Sequence, residues 1–326
     1  MTGLSEAEEM EQKKVKVAVV GVGYLGQHHA RIYSELPDVE LVGVVDPILE
    51  RAEKMASDYR CAAYSDIGPL LEKIDAASIV VPTIAHYQVS KTLLENGIDL
   101  LLEKPMTSTL EEADHLLSLA AQKGRVLQVG HVERFNAGIK KLKEILTHPR
   151  FIECHRMGPF VERGTDVHVI LDLMIHDLDI IMSLVQSDLT EVRAVGVSVL
   201  TPQIDIANVR LAFANGCVAN VTASRVSRER LRKIRIFQPD SYLSLDYMLP
   251  ELVVCRKTVP PEGKAGVTID KVEIEKAEPL KTELASFIQS VKLRNAPKVS
   301  GEDGRKALAV ALQVVDLIKN GQSVLS

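Results

Sequence analysis

The chain has 326 residues, 46% of them hydrophobic and 25% charged, with a formal net charge of −5. That balance is globular and large enough for two cores, and the acidic excess argues against a nucleic-acid partner, which needs a basic face. The four cysteines, Cys61, Cys154, Cys217 and Cys255, form no Cys-x-x-Cys pair, which excludes a cysteine zinc module of the usual spacing and suits a reducing compartment.

The polar, acidic stretch through Lys14 lacks the apolar core of a signal peptide and reads as a frayed lead-in. No apolar run approaches the roughly 20 residues that span a bilayer, so no membrane partner is expected and the cytoplasm is the expected location. Val15–Val20 is a β-branched run closed by Gly21, the pattern of a buried parallel strand. A helix is predicted from Gly26 to Leu36, a strand over Val39–Val45 ending at Asp46, and a helix over Leu49–Asp58. Ile79–Val81 is a short strand closed by Pro82. Tyr87–Asn96 is amphipathic, with Gly97 suited to its C-terminus. Leu100–Leu102 (strand), Leu110–Gln122 (helix, stopped by Gly124) and Val126–Val129 (strand) complete the first series. Short strands alternating with helices predict a doubly wound parallel sheet.

After Asn136 the pattern changes. A helix through Leu146 leads to a strand over Phe151–Met157 and an apolar helix over Val167–Val185. Strand-like runs then follow from Glu191 to Ile274, with turns such as Asn215-Gly216, and the tail from Leu280 is helical with a break at Pro297. The expected fold class is α/β. Residues 1–133 form a Rossmann dinucleotide-binding domain. Residues 134–326 form an α+β substrate-binding and oligomerisation domain on an open, largely antiparallel sheet, and the final helices can pack back on the first domain.

The glycine motif carries the first functional argument. Gly21-Val22-Gly23-Tyr24-Leu25-Gly26 follows a strand and opens a helix. The first glycine makes the tight turn, the second lets the backbone approach a pyrophosphate, and the third lets helix and strand pack closely. The helix N-terminus offers its free N–H groups to the phosphates. Asp46, at the end of the next strand, suits the adenosine ribose hydroxyls and repels a 2′-phosphate, which favours NAD over NADP. A glycine turn without a ligand is the plain alternative. His28 and His29 are adjacent, point in different directions on a helix and make poor joint metal ligands.

Leu101-Leu102-Glu103-Lys104-Pro105-Met106 ends an apolar strand in charge. At a strand's carboxyl end, Lys104 suits a substrate oxygen on which alkoxide charge develops; a surface Glu–Lys pair is the alternative. In the apolar helix, Asp172 and His176 lie four apart and Asp179 three further, so a polar stripe is expected on a buried element. Histidine titrates where a base for an alcohol proton works best. Asp172 then orients His176 or binds a second hydroxyl. A core His–Asp pair, or a zinc site lacking an obvious third ligand, are the alternatives, and no metal is expected.

Together, Gly21-x-Gly23-x-x-Gly26, Asp46, Glu103-Lys104-Pro105 and Asp172-x-x-x-His176 resemble the Gfo/Idh/MocA oxidoreductases over most of the chain. The resemblance implies that Lys104 and His176 are the catalytic pair and that Asp172 contacts substrate. It also implies that Pro82, Thr83, His86 and Glu103 lie near the cofactor, and that the open second sheet forms a homodimer or homotetramer interface. Gly130-His131-Val132-Glu133-Arg134-Phe135-Asn136 resembles a subgroup of that family linked to UDP-N-acetylglucosamine 3-dehydrogenases. This implies Arg134 near the nicotinamide, Asn136 near the substrate, oxidation of the sugar C3 hydroxyl, and a downstream aminotransferase. Dehydrogenation of myo-inositol or another free sugar stays open, as does a non-catalytic dinucleotide sensor. Arg225, Arg228, Arg230, Arg232, Lys233 and Arg235 crowd one stretch. Guanidinium forks match diphosphate oxygens; a solvated strand edge or a subunit contact is the other reading.

Overall fold

The computed structural model describes residues 14–161, 167–249, 251–258 and 266–323; the acidic lead-in ahead of Lys14 lies outside them. The chain divides into two compact units, one of residues 1–132 and 279–305, the other of 133–278 and 306–326.

In the first unit, β1 (Val15–Val20), β2 (Val39–Val45), β3 (Ala62–Tyr64), β4 (Ala76–Ile79), β5 (Asp99–Glu103) and β6 (Leu127–Gly130) form one sheet in the order β3-β2-β1-β4-β5-β6. Every pairing is parallel. The order reverses between β1 and β4, so the ligand crevice of such a sheet falls outside the carboxyl ends of these two strands. Strands covered on both faces need continuous apolar runs. Leu100, Leu101 and Leu102 of β5 are all fully buried, each worth about 1.5–3 kcal/mol relative to exposure.

The helices of this unit are α1 (Gly26–Glu35), α2 (Leu49–Tyr59), α3 (Thr83–Glu95) and α4 (Leu110–Lys123). Thr109 and Glu112 close a reciprocal capping box on α4, which satisfies two of its orphan N–H groups. A later helix, Pro279–Leu293, packs through Leu284, Phe287, Ile288 and Val291 into the core that holds Val17, Val19 and Tyr33. Three elements differ from expectation. β4 covers Ala76–Ile79 rather than Ile79–Val81. β3 is short and half-buried, with too little apolar signal to read. Helix α3 starts at Thr83 rather than Tyr87, with Pro82 at its N-cap position, where the fixed proline φ is tolerated.

In the second unit, α5 (Ala137–Ile145) precedes β7 (Phe151–Met157), and α6 (Ile175–Val185) precedes β8 (Leu189–Val197). Then come β9 (Ile206–Phe213), β10 (Val218–Ser224), β11 (Leu231–Phe237), β12 (Ser241–Asp246), β13 (Glu251–Thr258) and β14 (Gly266–Glu273). The sheet order is β14-β13-β12-β11-β7-β10-β9-β8. Only β7 and β10 pair in parallel; the others are antiparallel. Burial alternates along β7, β9 and β10, as expected where one face meets a core and the other does not. Ile152, Val209, Val221 and Ile234 face a core shared with Ile175, Leu178 and Ile181 of α6. The predicted α/β class, a parallel Rossmann sheet beside a largely antiparallel one, is the observed fold.

The apolar helix departs from a regular α-helix. Ile170–Met174 is a π-helical turn that runs directly into α6. Such a turn admits one extra residue, and it recurs at functional sites.

Candidate active site

In the first unit the parallel sheet does the assembling. Gly21 follows β1, Asp46 follows β2, Pro82 and Thr83 follow β4 closely, and Lys104 follows β5. All strands run one way, so these residues share the carboxyl edge of the sheet.

The glycine loop is shaped by close approach. Gly21 has φ +90°, and a Cβ there would meet Val80 O at 2.6 Å. A Cβ on Gly26 would meet Gly21 O at 1.9 Å, whereas Gly23 has nothing within 4 Å of that position. The first and third glycines are thus demanded by packing, and the second leaves a bare stretch of backbone at the mouth of α1. No side chain caps α1; the Gln27 and His28 N–H groups donate to Gly23 O and Leu25 O, and the positive end of the helix dipole favours an anion at this loop. Tyr24 is 67% exposed beside this loop, and Leu25 occupies the N-cap position of α1. Asp46 is buried; its carboxylate accepts the Val22 N–H at 3.2 Å and the Ile48 N–H at 3.0 Å. Those bonds tie the glycine loop to the end of β2. This open backbone, the uncapped helix and the carboxylate beside them fit a dinucleotide.

His86, in the first turns of α3, is also buried. Its Nδ1 lies 2.9 Å from Pro105 O and its Nε2 2.9 Å from Val81 O. Burial pushes its pKa down against the pull of the two carbonyls, so a neutral ring donates to one of them at a time. His86 therefore links the loop after β4 to the loop after β5 that carries Lys104. Glu103 is buried as well, with Oε2 accepting the Lys104 N–H at 3.3 Å.

The second unit holds the remaining predicted residues. Asp172 lies in the π-turn, its N–H donating to His168 O at 3.1 Å, and His176 is the second residue of α6. Both are half-buried, while Met174, Ile175 and Asp177–Ile181 are buried. Asp179 has a cation: Arg134 grips it with Nε at 2.8 Å and Nη2 at 2.9 Å. Asn136 caps α5, its Oδ1 accepting the Gly138 N–H at 2.8 Å. Arg134 and Asn136 thus each carry a bond that shapes the segment where they lie.

A buried ionic group beside His176 was not read from the sequence. Arg156 holds Asp177 with Nε at 2.8 Å and Nη2 at 2.9 Å, and Glu133 with Nη1 at 3.0 Å. Its guanidinium sits 5.4 Å from the centre of the Tyr247 ring. Burial, then the Asp177 charge, push the Cys154 thiol well up, so this cysteine is no nucleophile. The signal was present: Ile152, Cys154 and Arg156 share the inward face of an alternating strand, and an inward arginine needs a carboxylate. Among the described residues, no group of three or more His, Cys, Asp or Glu side chains could hold a metal ion. Among them, too, no helix is long and apolar enough to cross a membrane.

Residues 15–131 match the model of an oxidoreductase family with an NAD-binding Rossmann fold, and residues 146–239 match the GFO/IDH/MocA C-terminal domain. The chain is 39% identical over 304 residues to the UDP-N-acetylglucosamine 3-dehydrogenase of Acidithiobacillus ferrooxidans, covering 92% of this chain and 96% of the relative. A solved structure of a UDP-N-acetylglucosamine 3-dehydrogenase from that organism superposes with a TM-score of 0.89 at 37% identity, over 94% of this chain and 98% of the other. The scyllo-inositol 2-dehydrogenase (NAD(+)) of Bacillus subtilis is 30% identical over 241 residues, 66% of this chain and 69% of the relative.

Proposed function

The chain belongs to the Gfo/Idh/MocA oxidoreductase family, and from that premise we propose that it oxidises a secondary alcohol of a sugar nucleotide at the expense of NAD. The hydroxyl is C3 of UDP-N-acetylglucosamine, and the product is the 3-keto sugar, a substrate for an aminotransferase. The observation that carries this reading is the 39% identity, over nearly the whole of both chains, to an enzyme of that name.

When bound, the dinucleotide supplies the hydride acceptor. The loop from Gly21 through Tyr24 and Leu25 to Gly26 holds its phosphates by backbone N–H groups. Asp46 accepts from the ribose hydroxyls and disfavours a 2′-phosphate, which makes NAD rather than NADP the cofactor. Pro82, Thr83, His86 and Glu103 line the nicotinamide end of the same edge. Lys104 donates to the substrate oxygen and stabilises negative charge on it. His176 takes the hydroxyl proton, and Asp172 binds a neighbouring hydroxyl. Arg134 and Asn136 belong near the nicotinamide and the sugar, through the segment that their bonds to Asp179 and Gly138 hold in shape. The open face of the second sheet suits a homodimer or homotetramer, since its edge strands expose Val195, Val197, Val267 and Ile269.

The test is incubation of the full chain with NAD and UDP-N-acetylglucosamine, reading reduced nicotinamide and the mass of the sugar product. Reduction that disappears in Lys104→Ala supports the proposal. A free cyclic polyol is the second reading, favoured by the likeness to the Bacillus subtilis enzyme; turnover of myo-inositol but of no UDP-sugar selects it. Binding of NAD without reduction by any sugar leaves only a dinucleotide sensor.

A further inference from the structure

Six cations lie between Arg225 and Arg235, and the strand pairing sorts them. Arg225 is buried and used: Nη2 donates to Val167 O at 2.6 Å, and Nε lies 4.0 Å from Asp205 Oδ1. Lys233 and Arg235 alternate with the buried Ile234 and Ile236 and so face away from the helices. There they stand in register with His155 and Glu153, and Arg235 pairs with Glu153 at 3.4 Å.

Arg232 is different. It lies on the side of Ile234 and Ile236, the side that packs on α6, and its cross-strand partner is Arg156. Like charges directly opposite each other destabilise a sheet. Arg156 spends its charge on Asp177 and Glu133. Among the described residues, no carboxylate pairs with Arg232, nor with Arg228 or Arg230 in the exposed link that precedes it. Desolvation, then the Arg156 charge, push Arg232 below the ordinary guanidinium range against the pull of Glu133 and of Asp177, the residue next to His176 in sequence. Three guanidinium groups thus lie at and just before the start of β11, none in a salt bridge among the described residues, in a protein of net charge −5.

We propose that Arg228, Arg230 and Arg232 form the subsite for the diphosphate bridge of a sugar nucleotide. The assignment rests on the sugar-nucleotide reading above and gives that substrate its anchoring residues. A diphosphate gives these arginines direct ion-pair partners, and its paired oxygens match guanidinium forks, which make stronger contacts than lysine point charges. Bound there, it relieves the repulsion between Arg232 and Arg156.

The test is calorimetric titration of the full chain with UDP and with uridine, under saturating NAD so that the dinucleotide site is occupied. UDP is expected to bind at least about tenfold tighter than uridine, with an affinity that falls as salt rises. Arg232→Gln should weaken UDP about tenfold, the triple Arg228→Gln, Arg230→Gln, Arg232→Gln variant about 100-fold or more, and Arg232→Lys less than Arg232→Gln. Arg235→Gln removes the same charge from the opposite face and should leave UDP binding unchanged. NADH binding reports folding; if the triple variant loses it, the single Arg228→Gln and Arg230→Gln variants decide. The inference is overturned if wild-type protein does not prefer UDP to uridine, if the glutamine variants bind UDP normally, or if Arg235→Gln weakens it equally. Arginine-dependent UDP binding with no oxidation of any UDP-sugar would retain the subsite and remove the proposed reaction.

Discussion

His29 Nε2 lies 3.4 Å from Glu103 Oε1, with both side chains almost wholly inside the first unit. His29 belongs to the helix that opens at the glycine loop, and Glu103 is the last residue of the strand that delivers Lys104. The other carboxylate oxygen, Oε2, accepts the Lys104 N–H. A single carboxylate thus joins the dinucleotide helix to the lysine loop.

Loss of that carboxylate should be felt in both stability and turnover. Glu103→Ala removes the acceptor of the Lys104 N–H and takes the carboxylate from beside a buried imidazole, at a cost of roughly 1–3 kcal/mol. Thermal melting should register this as a drop of several degrees, and kcat should fall while NAD binding persists. Gly130→Ala attacks the same point from the neighbouring strand, since its Cβ would stand 2.7 Å from Glu103 Oε1. An unchanged melting curve and kcat for both variants would refute the linkage.

The proposed catalytic pair makes a separate prediction. Lys104→Ala and His176→Asn should each reduce turnover by roughly 100- to 10,000-fold, the range for a positioned proton-transfer group. NADH affinity, read by fluorescence, should change little, because neither residue holds the phosphates. Substantial activity in His176→Asn would assign the proton to another base.

Asp46 sets the expected cofactor preference. Asp46→Ser should raise the KM for NAD by about tenfold, one lost charge-assisted contact, and should narrow the gap to NADP. Steady-state kinetics with both dinucleotides measure it; an unaltered ratio would mean that the carboxylate only braces Val22 and Ile48.

Buried charge in the second unit predicts a stability effect. Arg156→Met removes the partner of Asp177 and Glu133 and should cost about 3–5 kcal/mol, read by urea denaturation. A loss below about 1 kcal/mol would show that water reaches these carboxylates.

Asp205 carries the pH dependence. Its burial raises the carboxyl pKa, but the Thr201 hydroxyl and the N–H groups of Leu200, Thr201 and Val199 outweigh it, and the pKa falls from 3.8 to about 2. The folded form therefore binds its proton less readily than the unfolded form. The stabilisation is complete above the unfolded value and is lost as pH falls from about 4 towards 2. Wild type should exceed Asp205→Asn in stability at pH 7 and converge on it near pH 2, by denaturation at each pH. A constant difference across that range would contradict the assignment.

Local patterning was enough to find most strands of the parallel sheet. Each strand of a doubly wound sheet is a short apolar run, and each strand end carries its residue of interest next in sequence, as Gly21, Asp46 and Lys104 do. The oxidoreductase family and the two-sheet α/β architecture were legible for the same reason. Tertiary structure alone decided what depends on partners distant in the chain. Asp179 is held by Arg134, 45 positions away, because a buried carboxylate requires a cation. Arg156 and Asp177 meet across 21 positions, and the strand register separates Arg232 from Arg235 onto opposite faces. Periodicity shows which side of an element is buried, but the pairing of one buried charge with another is set only when the elements pack.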